Sequence, residues 1–184
     1  MMRLFTAVEL NHEATQELLR LQQEAKKQFI SRKWQTPERM HLTLHFLGEL
    51  SATQADTVKQ ELRLAAASCQ PFELCLTDIG AFPSLQRPRV LWAGIDEQDN
   101  CLSTLQRTLS TRLQEKQLYE EERRYSPHIT LARNVSVKNE ASAHDPLLRV
   151  QPVRWTVHEL TLFRSTLTKE GPLYVVIEKY PFIP

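Results

Sequence analysis

The feature that most constrains the fold is a repeat. Shifted by 87 residues, the chain falls on itself without a gap: Leu4-Phe5-Thr6-Ala7-Val8-Glu9 meets Leu91-Trp92-Ala93-Gly94-Ile95-Asp96, Leu18 meets Leu105, Arg20 meets Arg107, and His41-Leu42-Thr43-Leu44 meets His128-Ile129-Thr130-Leu131. In 184 residues that shift is close to half the length, so one strand–helix–strand unit is expected twice, at about 3–49 and 90–136, within a single bilobal domain over 1–184. A weaker echo lays Phe72–Ile79 on Trp155–Leu162 at a shift of 83, as a four-residue difference in loop length would produce. Hydrophobic patterning alone makes two amphipathic units look alike. It does not require a histidine followed two residues later by a threonine, twice, at the same place in the unit.

Periodicity assigns the elements. Strands are expected over Leu4–Leu10, Met40–Leu47, Phe72–Ile79, Arg89–Ile95, His128–Val135, Trp155–Phe163 and Leu173–Tyr180. Apolar residues at three- and four-residue steps predict helices over His12–Phe29, from the cap residue Ser51 to about Ser68, and from the cap residue Asn100 to near Tyr119. Gly48 is expected to close its strand, Gly80–Pro88 and residues 136–152 to be loops, Glu120–Arg124 a solvated loop, and Gly171-Pro172 a turn.

Composition narrows the chemistry. Only 4 glycines stand against 10 prolines, and neither GxGxxG nor GxxxxGK[ST] occurs, which removes the usual phosphate-cradling loops of nucleotide-triphosphate and dinucleotide enzymes. The net charge of +1 excludes a strong field over the whole surface, so a polyanion site must be local. Of the 23 basic residues 15 are arginine, whose planar fork suits phosphate. Cys69, Cys75 and Cys101 form an odd set without CxxC spacing and are expected as buried thiols. No apolar run reaches the ~20 residues that span a bilayer. The expectation is a soluble, cytoplasmic protein of a reducing compartment, without membrane contact and monomeric.

On a strand, side chains i and i+2 share a face, so His41 and Thr43 point together while Leu42 and Leu44 enter a core. His128 and Thr130 repeat this against Ile129 and Leu131. Two copies about an approximate two-fold bring both polar faces to one cleft. With an unperturbed pKa of ~6.5, one imidazole takes a proton while the other gives one, and the threonine hydroxyls donate to phosphoryl oxygens. A metal site is the competing reading, because His41 and His45 share an ideal strand face. The second copy, however, has Ala132 in place of His45, and no metal or other cofactor is expected.

His41-Leu42-Thr43-Leu44 followed by Phe46-Leu47-Gly48-Glu49, and Pro127-His128-Ile129-Thr130-Leu131 followed by Arg133, resemble the paired HxTx motifs of the two-histidine (2H) phosphoesterase superfamily. Within it the chain is most similar to the RNA 2′,3′-cyclic phosphodiesterases formerly called 2′–5′ RNA ligases. The resemblance implies an α+β fold in which each lobe is an antiparallel sheet with outer helices and the cleft lies between lobes. It implies metal-independent opening of RNA 2′,3′-cyclic phosphate ends, or of small cyclic nucleotides, to 2′-phosphates. His128 would serve as general base, His41 as general acid, Thr43, Thr130 and Arg133 as phosphate ligands and Phe46 as a base-stacking surface.

Phe46 and Arg133 lie five residues beyond their histidines, the wrong parity for the same face of an ideal strand. A bulge, twist or strand end must re-aim them; otherwise Phe46 is core and Arg133 an outward charge. Tyr125 and Ser126 stand where many relatives carry an aromatic residue and a further histidine, and Arg123 and Arg124 lie near enough to approach an RNA backbone. Two other readings stay open: an RNA-end or cyclic-nucleotide binding protein without turnover, and 2′–5′ ligation as the reverse reaction.

Overall fold

The computed structural model describes residues 1–120, 124–138, 149–169 and 171–183. They form strands β1 (Met2–Val8), β2 (Phe29–Ile30), β3 (Lys33–Trp34), β4 (Leu42–Leu50), β5 (Phe72–Phe82), β6 (Val90–Glu97), β7 (His128–Arg133), β8 (Ser136–Val137), β9 (Arg154–Val157), β10 (Glu159–Thr168) and β11 (Gly171–Pro181). The helices are α1 (His12–Gln28), α2 (Ala52–Ala66) and α3 (Cys101–Glu115), with one 3-10 turn over Pro37–Arg39. All pairing is antiparallel. One sheet runs β11-β10-β1-β4, the other β3-β7-β6-β5-β9, and β2 pairs β8 apart from both. The fold is therefore α+β with antiparallel sheets.

Local chemistry explains the helix starts. Asn11 caps α1, its side-chain oxygen accepting from the Ala14 N–H at 2.8 Å. Ser51 and Gln54 cap α2 reciprocally, at 3.2 and 2.9 Å. Asn100 does occupy the N-cap position of α3, but with φ +52 and no capping side-chain bond. Glu97 does that work instead, accepting from the Ser103 N–H at 2.9 Å and from its hydroxyl.

The two copies complete each other. β10, which follows the second copy in sequence, adds to β1 of the first; β5, which follows the first copy, adds to β6 of the second. The helices cross as well. Gln22 of α1 donates to the Leu131 carbonyl of β7 at 2.9 Å, whereas Ser110 of α3 bonds His45 of β4 at 2.9 Å. Leu18, Leu21, Leu42, Leu62, Leu91, Leu102, Leu109, Leu113, Ile129 and Leu131 are fully enclosed in one continuous core.

Several boundaries differ from expectation. β4 passes through Gly48, which takes φ +72 where Leu47 is an extra residue against β1, and ends at Leu50. β5 runs on through Gly80 to Phe82, with Gly80 opposite Trp92 of β6 and packed so closely on that ring that a β carbon there would collide with it. Gly171 and Pro172 belong to β11 and not to a turn. Trp155–Phe163 is two strands separated at His158, Ser136–Val137 is a strand inside the expected loop, and α3 ends at Glu115. Of the thiols only Cys75 is buried, with Cys69 and Cys101 partly exposed. Residues 121–123 of the expected solvated loop and 139–148 of the expected surface loop lie outside the described residues.

Candidate active site

The site begins with two matching irregularities. In β4, His45 pairs Thr6 and Thr43 pairs Ala7, leaving Leu44 as an extra residue. In β7, Ala132 pairs Leu91 and Thr130 pairs Trp92, leaving Leu131 extra. Leu44 and Leu131 are 87 residues apart. At each bulge two consecutive residues turn inward, Leu44 with His45 and Leu131 with Ala132, and the alternation resumes inverted. Phe46 therefore shares the face of His41 and Thr43, and Arg133 that of His128 and Thr130. Phe46 is 63% exposed, its ring 6.1 Å from Phe5. Arg133 is exposed, and its positive charge acts on both His41 and His128.

His41 lies on an aromatic floor. Its ring stacks on Phe5 at 4.8 Å, lies 5.8 Å from Phe163 and meets Tyr174 edge-on at 5.1 Å. Phe5, Ala7 and Phe163 form a small apolar cluster of their own on this face, with Tyr174 against it. Burial pushes the His41 pKa down to about 4, helped by the positive charge of Arg133 and opposed by Glu9.

His128 has the equivalent setting. Phe82 meets it edge-on at 5.2 Å, and the Trp92 ring is 6.2 Å away. Its Nδ1 lies 2.7 Å from the Ser126 carbonyl. A carbonyl only accepts, so Nδ1 carries the proton and the neutral ring presents Nε2 as a free lone pair. Burial lowers the His128 pKa and Arg133 lowers it further, while the Ser126 bond acts in the opposite direction.

One guanidinium thus acts on both imidazoles. The two motif strands are also tied directly: Tyr125, three residues before His128, donates its hydroxyl to the Thr43 carbonyl at 3.2 Å. Thr43 and Thr130 are half-buried on the histidine faces.

His45, the fourth residue after His41, goes elsewhere. It is 1% exposed, with Nδ1 3.1 Å from Thr6 Oγ1 and Nε2 2.9 Å from Ser110 Oγ, on the core side of β4. Among the described residues no three His, Cys, Asp or Glu side chains gather in a metal-binding group, and no helix is long and apolar enough to cross a membrane.

The motifs themselves do not mark the aromatic floor as part of the site, although the repeat carries its signal. Phe5 and Trp92 are 87 residues apart, and each lies beneath the motif histidine of its own sheet. Phe163, Tyr174 and Phe82 come from strands outside the strong repeat and left no comparable trace.

Known proteins resemble this chain over most of its length. A model of the 2′-5′ RNA ligase superfamily matches residues 12–168. A Thermus thermophilus protein named RNA 2′,3′-cyclic phosphodiesterase is 34% identical, covering 97% of this chain and 89% of its own. One of the same name from Aquifex aeolicus is 32% identical over 80% of each chain. Among solved structures, TT0787 of Thermus thermophilus superposes with a TM-score of 0.79 at 30% identity, over 98% of both chains. Escherichia coli LigT complexed with 3′-AMP gives 0.78 at 25% identity, over 100% of this chain and 99% of LigT. With the paired motifs, the antiparallel fold and these relatives in agreement, the chain belongs to the 2′-5′ RNA ligase superfamily of two-histidine phosphoesterases.

Proposed function

We propose that the protein hydrolyses RNA 2′,3′-cyclic phosphate ends to 2′-phosphates, with His128 as base and His41 as acid and without a metal ion. Carrying this reading is the pair of equivalently bulged His-x-Thr strands, one from each copy, with the charge of a single arginine acting on both rings. Relatives named RNA 2′,3′-cyclic phosphodiesterase support the substrate.

Each step follows from the chemistry of these groups. Nε2 of His128 takes a proton from water as the water oxygen bonds to phosphorus. The bond from phosphorus to the 3′ oxygen breaks, and His41 gives its proton to that oxygen, leaving a 3′-hydroxyl and a 2′-phosphomonoester. Thr43 and Thr130 donate to the non-bridging oxygens, and Arg133 neutralises the charge that develops there. Phe46 offers an exposed ring at the edge of a groove of about 660 Å³ that continues past Gln117 and Tyr119, a stacking surface for the terminal base. The free thiols Cys69, Cys75 and Cys101 fit a cytoplasmic, reducing setting.

Turnover of a cyclic-phosphate oligonucleotide in excess chelator tests this directly. The wild-type chain remains active, and His41→Ala and His128→Ala each lose about 10²–10⁴-fold in kcat, the range for deleting an acid or base. Chelator-sensitive turnover removes the metal-free mechanism. Binding without product identifies a non-catalytic RNA-end protein instead.

A further inference from the structure

The cleft carries more positive charge than one phosphate requires. Burial pushes the Tyr174 hydroxyl up in pKa, and three guanidiniums oppose it, those of Arg133, Arg39 and Arg3. The strand register explains how Arg3 arrives there: Arg3 of β1 pairs Ser165 of β10, which pairs Tyr174 of β11. This row lies two residues from Phe5 and Phe163 and therefore on the same face as the floor beneath His41. Tyr174 meets the His41 ring edge-on at 5.1 Å.

Arg39 arrives from the other side. It sits two residues before His41, in the 3-10 turn, and its guanidinium lies against Gly171 at the start of β11, with Nη1 2.7 Å from where a β carbon would stand. Gly171 has φ +113, a conformation open to glycine, and the missing side chain leaves room for the guanidinium. Glu49 stands opposite Arg3 on β4 and offsets part of its charge.

The second group of cations thus borders the histidine cleft. In a nucleoside 2′,3′-cyclic phosphate one phosphate closes the ring on the ribose, and the 5′ oxygen carries the next one. We propose that Arg3, Arg39 and Tyr174 form a second anion subsite, which holds the phosphate on the 5′ oxygen of the terminal nucleoside and selects RNA chain ends over free cyclic mononucleotides. This rests on the hydrolytic reading above and adds the substrate class. Guanidinium and phenol donors suit a phosphodiester through charge-assisted hydrogen bonds.

Three substrates separate the possibilities: a nucleoside 2′,3′-cyclic phosphate with a free 5′-hydroxyl, the same nucleotide bearing a 5′-phosphate, and a trinucleotide with a 2′,3′-cyclic end. The wild-type chain turns over both 5′-phosphorylated substrates with kcat/KM at least about tenfold above the 5′-hydroxyl form, in keeping with the strength of hydrogen bonds to charged groups. Arg3→Ala and Arg39→Ala each lower that ratio about tenfold. Each also reduces the slope of log(1/KM) against log salt for the trinucleotide by about 0.7, one phosphate contact. A ratio taken on one preparation cancels any misfolded fraction, and far-UV circular dichroism checks the fold.

Equal turnover of all three substrates by the wild-type chain overturns the subsite and leaves the hydrolytic reading standing. So does a gain with the trinucleotide alone, or a ratio unmoved by both substitutions. No turnover of any substrate overturns the hydrolytic reading itself.

Discussion

His41, just before β4, and His45, within it, lie four residues apart and have different surroundings. His45 is sealed between Thr6 and Ser110, and burial pushes its pKa down to about 4. Its unfolded value is ~6.5, so the unfolded chain binds the extra proton first. The stability it supports is full above pH 6.5 and is lost as pH falls toward 4. Replacing His45 with Leu removes the ring partner of the Thr6 hydroxyl and leaves Ser110 with its bond from Gln106, and lowers the unfolding free energy at pH 7 by about 2 kcal/mol. The same substitution flattens the loss of stability between pH 6.5 and 4, as urea titrations at a series of pH values will read.

His41 and His128 are also held below the ordinary histidine value, which leaves both rings neutral at pH 7 in the free protein. That suits the base role proposed for His128. His41 needs a proton to act as an acid, and a bound phosphate anion opposes both burial and the Arg133 charge, raising its pKa. The kcat/KM profile, which reports the free enzyme, therefore lies on the acid side of neutrality and falls as pH rises. The kcat profile, which reports the complex, extends to higher pH. Coincident profiles would mean that the anion does not retune the pair.

At the scale of elements, the bulges at Leu44 and Leu131 decide which side chains enter the cleft. The Leu131 bulge is held from α1: its carbonyl accepts from the buried Gln22 side chain at 2.9 Å and from the Gln35 N–H at 2.9 Å. Gln22 is thus a positioning residue for the strand that ends at Arg133. Gln22→Leu costs about 1–2 kcal/mol of stability and lowers kcat with little change in KM, while Gln22→Met, close in shape and unable to donate, behaves like Leu. An unchanged kcat in both variants would show that Gln35 suffices to hold the bulge.

The principal strands and all three described helices were legible because alternation and 3.6-residue periodicity are direct consequences of burying one face. The bulges were legible only as a parity problem at Phe46 and Arg133, since an extra residue is defined by its partner strand and not by its own chain. β2, β3 and β8 have two residues each, too few for any period. Gly80 read as loop punctuation because close packing against Trp92 leaves no local signature. The motif pairs were legible by repetition alone; the aromatic rings beneath them depend on register across the sheets.

The whole molecule is built by exchange: each half lends a strand and a helix to the other's sheet, and each contributes one imidazole whose pKa the Arg133 charge lowers. A repeat of 87 residues in a chain of 184 thereby supplies the proposed site with one motif from each half. On the proposed reading it also reconciles a net charge of +1 with a polyanionic substrate, because Arg3, Arg39 and Arg133 gather around Tyr174 beside His41. The central claim, that His41 and His128 serve a single phosphate, is tested most directly by following the imidazole Cε1–H resonances in a two-dimensional NMR titration with a nucleoside 2′-phosphate product. His41 and His128 are expected to shift together along one binding curve and to rise in pKa, while the enclosed His45 stays in place. Separate curves for the two histidines, or a response from only one of them, would contradict it.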